Sequence, residues 1–480
     1  MMIQKISCVF ILGSLSIIFC IKDSFCGDYQ QVAGLIDLRT TYSDGAHDLD
    51  FLVKLAKKRG FDVLFINDHD RMTLEYGLFP FRNILRKKVE KPSVNSRGAD
   101  KYLQNIAEIS RKYPDMIVIP GSESAPFYYW AGSYFKGDLT AHNWERHLLV
   151  IGMENPEDYR NLPVLHNGFS TRYLRQLLPG SIIFLIPLFL GIVLIIRNNY
   201  RITGIVILVF SSFMLIEYHP FKSSPFDQYH GDQGYLPYQE LIDYVRNRGG
   251  ATFWTHPEAS AGANVRKGPI MVSTPPHPEA LLMTEGYTGF GSLYGTWIKT
   301  TEPGKEWDRV LFDYCRGNRD TPTWGISTAD FHKEGMGGEK LGNFPTVFLV
   351  KEKTREEIIL ALKQGRMYAC RSGNNFQRFV LKDFSIFGSN TNKQAVMGET
   401  IELKNNPEIR IRVSSSGRGD HNVDVRIIRS GKLIKTLSKT TPFVVDFKDD
   451  YFNPGELIYY RLDIPGKLVS NPIFVKFSRE

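Results

Sequence analysis

Short apolar runs alternate with amphipathic stretches along the first three quarters of the chain. Gln31–Ile36, Asp62–Ile66, Met116–Ile119, His147–Ile151, Ala251–Trp254, Leu281–Thr284 and Thr321–Ile326 are short, mainly apolar runs that read as strands. Between them, Asp48–Arg59 places Phe51, Leu52, Leu55 and Ala56 on one helical face and stops at Gly60, a natural left-handed cap. Leu236–Arg248 and Glu306–Arg316 carry similar stripes. Thr354-Arg-Glu-Glu357 is a capping box that opens a helix running to Gln364. Strand–helix alternation of this kind predicts an α/β fold built on a parallel sheet or barrel.

From about residue 376 the texture changes. Phe379–Ile386, Ile409–Val413, Val423–Ile428, Pro442–Phe447, Leu457–Ile464 and Ile473–Phe477 are short and rich in β-branched or aromatic residues. Turn signals separate them, among them Asn453-Pro-Gly455, which predicts an antiparallel β-sandwich of about a hundred residues. Its one histidine, His421, lies in a loop-like stretch, and no chemistry is assigned to this part.

Two long apolar runs break the alternation. Leu178–Ile196 and Ile202–Ile216 carry no charge, and the short basic turn Arg197–Arg201 joins them. A membrane helix needs roughly 17–25 apolar residues, so the first run qualifies and the second is slightly short. A transmembrane helical hairpin is the natural reading, with a buried hairpin of a soluble protein as the plainer alternative. The excess of positive charge in the turn places it in the cytoplasm and both flanking regions on the exported side. Residues 1–26 agree with this as a secretory signal: Lys5 supplies a basic start, Cys8 to Ile21 an apolar stretch, and Ser24 and Cys26 small residues before a cut. An uncleaved anchor is the alternative. The expected organisation is therefore a signal at 1–26, a first barrel part at 27–177, the hairpin at 178–217, a second barrel part at 218–375 and the sandwich at 376–480.

Composition adds limits. With 480 residues, 42% hydrophobic and 23% charged, the chain has ordinary globular composition and length for two or three domains. The net charge of +8 is mild and its basic residues are scattered, so specific nucleic-acid binding is not expected. The densest basic run, residues 86–91, reads as a solvated helix end or loop. Outside the first 26 residues only Cys315 and Cys370 remain, and in an oxidising compartment they can form one disulfide. There is no GK[ST] phosphate loop and no G-x-S-x-G elbow.

Chemistry concentrates just after the strand-like runs. Asp44 stands in YSDG, His69 in INDHD, Glu123 in IPGSE, His147 in RHLLVIG, His256 in FWTHPE, and Asp330 with His332 in ISTADFH. Imidazole and carboxylate suit Zn, Mn and Fe. Asp68 and Asp70 flank His69, where one of them can orient the imidazole through its other nitrogen. Most of these residues end a strand, where barrel active sites lie; His147 is the exception, at the start of its strand. The remaining histidines, His47, His142, His166, His219, His230 and His277, read as surface or structural. Phe127–Phe135 is an aromatic stretch that fits a substrate pocket or a membrane surface equally well.

The order and wording of these segments over roughly residues 32–370, closing on TREEIILALKQGRMYA, resemble the PHP (polymerase and histidinol phosphatase) domain family. The resemblance implies a distorted seven-stranded (β/α) barrel and a cluster of up to three divalent metal ions that hydrolyses phosphoesters. Carried over, it implies one ion on Glu123, His147 and His256, and another on Asp44, His69 and His332. A third would rest on Glu123, Asp330 and Asp37, because the family's opening HxH pair is missing. Counting back from Ser43-Asp44-Gly45, the pair's positions hold Asp37 and Arg39; a register two residues later gives Arg39 and Thr41. Arginine cannot ligate a metal. Arg39 either sits where that ion would be, or binds a substrate phosphate, or simply pairs with Asp37 in a decayed site.

The expectation is thus an exported, membrane-tethered, metal-dependent phosphoesterase, with about two divalent ions (Zn, Mn or Fe) and a small-molecule or nucleotide phosphomonoester or phosphodiester as substrate. Glu123, His332 and Arg39 are its expected catalytic groups. The alternative is a catalytically decayed relative that binds a ligand or supports the membrane protein structurally.

Overall fold

The computed structural model describes residues 29–259, 264–295, 298–388 and 393–479, so the expected signal at 1–26 lies outside the described residues. The chain begins with β1 (Gln30–Leu38), α1 (Leu49–Lys58) and β2 (Val63–Ile66). Asp48 caps α1 by accepting from the Phe51 amide at 2.8 Å, and Gly60 closes the exit at φ +77°. A two-stranded ribbon follows, β3 (Thr73–Gly77) and β4 (Arg86–Glu90), then α2 (Ala99–Lys112), β5 (Ile117–Ser124) and β6 (Leu148–Ile151). After two apolar helices, α3 (Leu185–Ile196) and α4 (Arg201–Glu217), come α5 (Leu236–Arg246), β7 (Ala251–Trp254), β8 (Gly289–Leu293), α6 (Glu306–Cys315) and β9 (Trp324–Ser327). The series ends with β10 (Pro345–Val350), α7 (Arg355–Gln364) and β11 (Met367–Cys370).

The ladder runs β9-β8-β7-β6-β5-β2-β1-β10-β11 and continues through Leu468–Ser470 into the C-terminal strands. Leu35, Phe65, Leu149, Phe253, Phe290 and Ile326 are among the buried side chains of its core. β9, β8 and β7 run parallel to one another, as do β5, β2 and β1, but β6 runs antiparallel to both β5 and β7, and β10 to both β1 and β11. The reversal of β6 accounts for His147: the start of β6 lies at the end of the sheet where its neighbours finish. The sheet also curls, because Ala329 and Phe331, just past β9, donate to the Ile36 and Asp37 carbonyls of β1 at 3.0 and 3.1 Å.

Several expectations are corrected. Residues 280–283 form a short helix, and the strand is β8 instead. A four-residue apolar run does not by itself distinguish helix from strand, whereas β8 (GFGSL) hides its identity behind two glycines. The basic run at 86–91 contains strand β4 rather than a helix end or loop. Cys315 and Cys370 are both free thiols. In the aromatic stretch, Phe127, Tyr128 and Trp130 are buried in one small core, while Phe135 is 85% exposed.

The C-terminal part is strand-rich. Phe379–Gly388, Pro407–Ser415 and Phe443–Lys448 form one sheet, and Asn422–Arg429, Leu457–Ile464 and Ile473–Phe477 extend the large one. Ile386, Ile411, Val425 and Leu462 from the two sheets meet in a second buried core. One pair there, Thr400–Leu403 with Ile473–Phe477, is parallel.

Helices α3 and α4 pack side by side at two glycines. A Cβ on Gly191 would stand 2.9 Å from the Gly204 carbonyl oxygen, and one on Gly204 would stand 2.7 Å from the Gly191 oxygen. Their outer faces are bare: Ile186 is 70% and Ile202 80% exposed. Helical structure from Leu174 to Ile196 is long and apolar enough to cross a membrane, and only 11% of its most apolar window is buried. A core helix of a soluble protein would be covered.

Candidate metal centre

A β-bulge starts the site. The register of β1 against β2 shifts between Leu35 and Leu38, and Asp37 inside the shift has φ +75°. The shift interrupts the strand's alternation, and Asp37 and Arg39, two residues apart, are both fully buried and paired with each other. Gly45 closes the following turn. A Cβ there would stand 2.5 Å from the Arg39 carbonyl carbon, so the turn that carries Asp44 fits only glycine. Asp68 fastens the same loop, accepting from the Thr40 amide at 2.8 Å, the Ser43 hydroxyl at 2.6 Å and the Thr40 hydroxyl at 2.7 Å. It therefore holds the loop rather than the His69 ring, and Asp70 likewise accepts from Ser124.

Glu123 is the hub. Beyond β2 and within β5 the chains pair once more at His69 and Glu123, which puts these side chains together. Glu123 Oε2 lies 3.4 Å from His69 Nδ1 and 3.3 Å from His147 Nδ1, and its Oε1 lies 3.8 Å from His256 Nε2. His69 and His147 stand edge to face at 5.3 Å between centroids, and His147 and His256 do the same at 5.4 Å. Asp44 Oδ2 is 3.6 Å from both His69 Nε2 and His332 Nε2. The His332 ring places Nδ1 2.9 Å from the Asp330 carbonyl, which accepts its proton and leaves Nε2 to face Asp44.

All eight expected ligand positions and Arg39 thus converge. Asp44, His69, Glu123, His147, His256, Asp330 and His332 line one cleft of about 820 Å3, with Asp37 and Arg39 buried behind it. The grouping differs from the carried-over one: His69, Glu123 and His147 form one close set, and Glu123, His256 and Asp330 another. Arg39 pairs with Asp37 and with Glu123, reaches Asp330 Oδ1 at 3.5 Å, and donates to the Asn67 carbonyl at 2.8 Å.

Sequence reading missed Glu145, which lies 4.0 Å from His147 Nε2 and 3.0 Å from Lys267. It also missed Glu339, which accepts from the His332 amide at 3.0 Å, and Asn67. Glu145 and Glu339 lie outside the quoted motifs and Asn67 lies inside INDHD, but only their places near the histidines and Arg39 mark them.

Burial opposes charge throughout the site, and the balance is uneven. Glu123 is held well below the usual carboxylate range, because Arg39, His147 and His69 outweigh its desolvation. Asp37 goes the other way, pushed up to about 6 by burial and by Glu123 and Asp330 despite Arg39. His147 and His332 are raised to about 9; burial works against their charge, but Glu123 and Asp44 respectively prevail. A field that holds protons this firmly also favours divalent cations. Two buried atoms fit that description further: Glu123 Oε1 and His147 Nδ1 have no hydrogen-bond partner. An imidazole nitrogen and a carboxylate oxygen, both unsatisfied and aimed at a histidine cluster, match a metal's needs.

No family model and no curated protein matches the chain. Among solved structures, it is similar to a two-domain protein from Bacteroides vulgatus containing a predicted PHP-like metal-dependent phosphoesterase. The identity is 11%, with 94% of this chain and 96% of that one covered, at a TM-score of 0.37. It is also similar to an amidohydrolase from Chromobacterium violaceum, at 13% identity, 64% and 90% coverage, and a TM-score of 0.28. Likenesses this distant carry no functional inference, which rests on the side chains in the cleft.

Proposed function

We propose that this protein is a membrane-tethered, metal-dependent phosphoesterase whose catalytic and strand-rich parts lie on the exported side. One observation carries the reading: three histidines and an aspartate gather round the buried Glu123, with Glu123 Oε1 and His147 Nδ1 left unsatisfied by the protein. In this reading the strands around the cleft are the distorted seven-stranded barrel of the PHP family, and α3 and α4 are a transmembrane hairpin with Arg197 and Arg201 in the cytoplasm.

The residues that would hold divalent ions are His69, Glu123 and His147 on one side, and Glu123, His256 and Asp330 on the other, with Asp44 and His332 completing the rim. Bound there, the ions would supply Lewis acidity toward a phosphoryl oxygen. The chain supplies the rest. Glu123 joins both sets, and Arg39 pins it from behind. Arg39 therefore takes over charge that a third ion would bring, holding Asp37, Glu123 and Asp330 together at fixed positive charge. Arg71 and Lys267 line the cleft mouth as cations for a phosphate's free oxygens. His332 presents Nε2 to the cleft, as a ligand beside Asp44 or as the proton donor to the leaving oxygen.

The same arginine supports the second reading. A guanidinium that neutralises Glu123 also weakens its hold on a cation, as in a decayed site that binds without turnover. Loading the purified protein with Mn2+ or Zn2+ and measuring metal by elemental analysis, beside a panel of phosphomonoesters and phosphodiesters, separates the two. Uptake of about two ions with hydrolysis is expected, and Glu123→Gln should lose both, with turnover falling by about two orders of magnitude or more. Metal without turnover would favour the decayed relative, and no metal at all would remove the enzyme reading and leave the decayed one.

A further inference from the structure

The β3–β4 ribbon has two unlike faces. Its cross-strand partners Leu74–Val89 and Tyr76–Lys87 turn one way, and Glu75–Lys88 and Gly77–Arg86 turn the other, as the two-residue period of a strand requires. Beside the ribbon lies a small four-stranded sheet of Tyr129–Ala131, Thr140–His142, Val265–Lys267 and Ile270–Ser273, and the apolar face joins its Trp130 and Ile270 and the adjoining Leu139 to line a groove of about 700 Å3. Leu74, Val89, Ile270 and Lys267 line both this groove and the metal-centre cleft, so the two spaces adjoin.

The far end of the groove reaches the apolar helices. The ribbon's turn sends Leu78, Ile84 and Leu85 into the groove. From the same turn Phe81 packs against Phe210 and Phe213 of α4, at 6.1 and 5.8 Å between centroids. Asn83 donates through its amide to the Glu217 carboxylate at 2.7 Å, at the last residue of α4. An apolar path thus leads from beside α4 to beside Glu123. Its outer rim is open, with Leu85 55% exposed, a patch that water alone does not stabilise.

We propose that the substrate is a lipid phosphoester taken from the bilayer, with its phosphate at the metal centre and its hydrocarbon chain in this groove. The inference rests on the phosphoesterase reading of the cleft and gives that site its substrate class. The groove's surface is mostly apolar although Glu75, Arg86, Lys87 and Lys267 border it, so a sugar or nucleoside there would leave most of its hydroxyls unpaired. Lys267, 3.0 Å from Glu145, stands where groove meets cleft and marks the boundary between chain and headgroup. The reaction is hydrolysis. Water's oxygen bonds to phosphorus, the bond from phosphorus to the lipid oxygen breaks, and that oxygen takes up a proton. A lipid alcohol and a phosphate anion leave.

The test uses the full chain in detergent, loaded with Mn2+, and a series of alkyl phosphates of increasing length kept below micelle formation. The expected kcat/KM rises about two- to fourfold per methylene until the groove is filled. Val89→Trp, at the junction, and Leu85→Arg, at the exposed rim, should each lower the long-to-short chain ratio by about tenfold. Both positions are exposed, so neither substitution should disturb folding, which the thermal midpoint of each variant checks. The same long-chain ester in vesicles should also be turned over. Hydrolysis with no chain-length dependence would overturn the lipid proposal and leave the phosphoesterase reading standing. No hydrolysis of any ester by metal-loaded protein would overturn both.

Discussion

Arg39 is fully buried against Asp37 and Glu123, with Asp330 at the edge of reach. Removing it strands carboxylates in a dry site, a change that costs about 3–5 kcal/mol in comparable buried pairs. Arg39→Ala should therefore lower stability by about that much in urea unfolding at neutral pH, and added Mn2+ or Zn2+ should restore part of it. His166 offers a separate check, remote from the metal centre. Burial and the nearby Arg86, Arg71, Lys88 and Lys222 hold it down to about 3. Its neutral ring keeps Nδ1 3.2 Å from Glu75 Oε1 and Nε2 3.0 Å from the Tyr128 hydroxyl. Between its ordinary value and about 3, the unfolded chain binds the proton and the folded one does not. Stability contributed by this group is thus full above pH 6.5 and falls with acid, by about 2 kcal/mol at about pH 5. In His166→Asn the fall in stability between pH 6.5 and 5 should shrink by about that amount. At this scale the sequence was eloquent about residues whose chemistry is distinctive. Asp44, His69, Glu123, His147, His256 and His332 stood out and do converge. Glu145, Glu339 and Asn67 did not, because a carboxylate or amide gains meaning only from its neighbours in space. The role of Asp68 was hidden for the same reason: its partners are backbone amides and hydroxyls of a loop 25–28 positions away.

Among the elements, amphipathic helices with caps were legible to within a residue or two, as at α1 and α7, because cap chemistry is local. Strand direction was not. Nothing in HLLVIG tells that β6 runs against its neighbours, since direction is fixed by connections rather than by side chains. β8 was missed because glycine is a poor strand former; here it is required, as a Cβ on Gly291 would run into the Thr255 backbone. The α3–α4 contact makes a sharper prediction. Gly204→Leu must push the helices apart, and overpacking of this kind costs about 1–3 kcal/mol. The thermal midpoint in detergent should fall, whereas Ile202→Leu, on an exposed face, should leave it within error. Equal midpoints for both variants would show that the two glycines do not hold the pair together.

At the scale of the whole molecule, the proposed topology predicts that a reporter fused near Tyr200 is active only in the cytoplasm, and one fused at the C-terminus only outside. The same side for both would place α3 and α4 off the membrane. Fold class was readable from the alternation of elements, and the strand-rich C-terminal part from its turns. The hydrogen-bonded join between the two parts, Tyr368–Cys370 to Leu468–Ser470, was not, being a contact between segments about a hundred residues apart. A similar distance separates β6 from β7, which pair directly although α3 and α4 intervene. His147 opens one of these strands and His256 follows the other. On the proposed topology, ribosomal synthesis therefore delivers half the site first, and the second half arrives only after the chain has crossed the bilayer twice. A molecule that crossed once would carry His256 on the wrong side and remain inert. On that topology, membrane insertion decides whether the two halves of the site come to share one compartment.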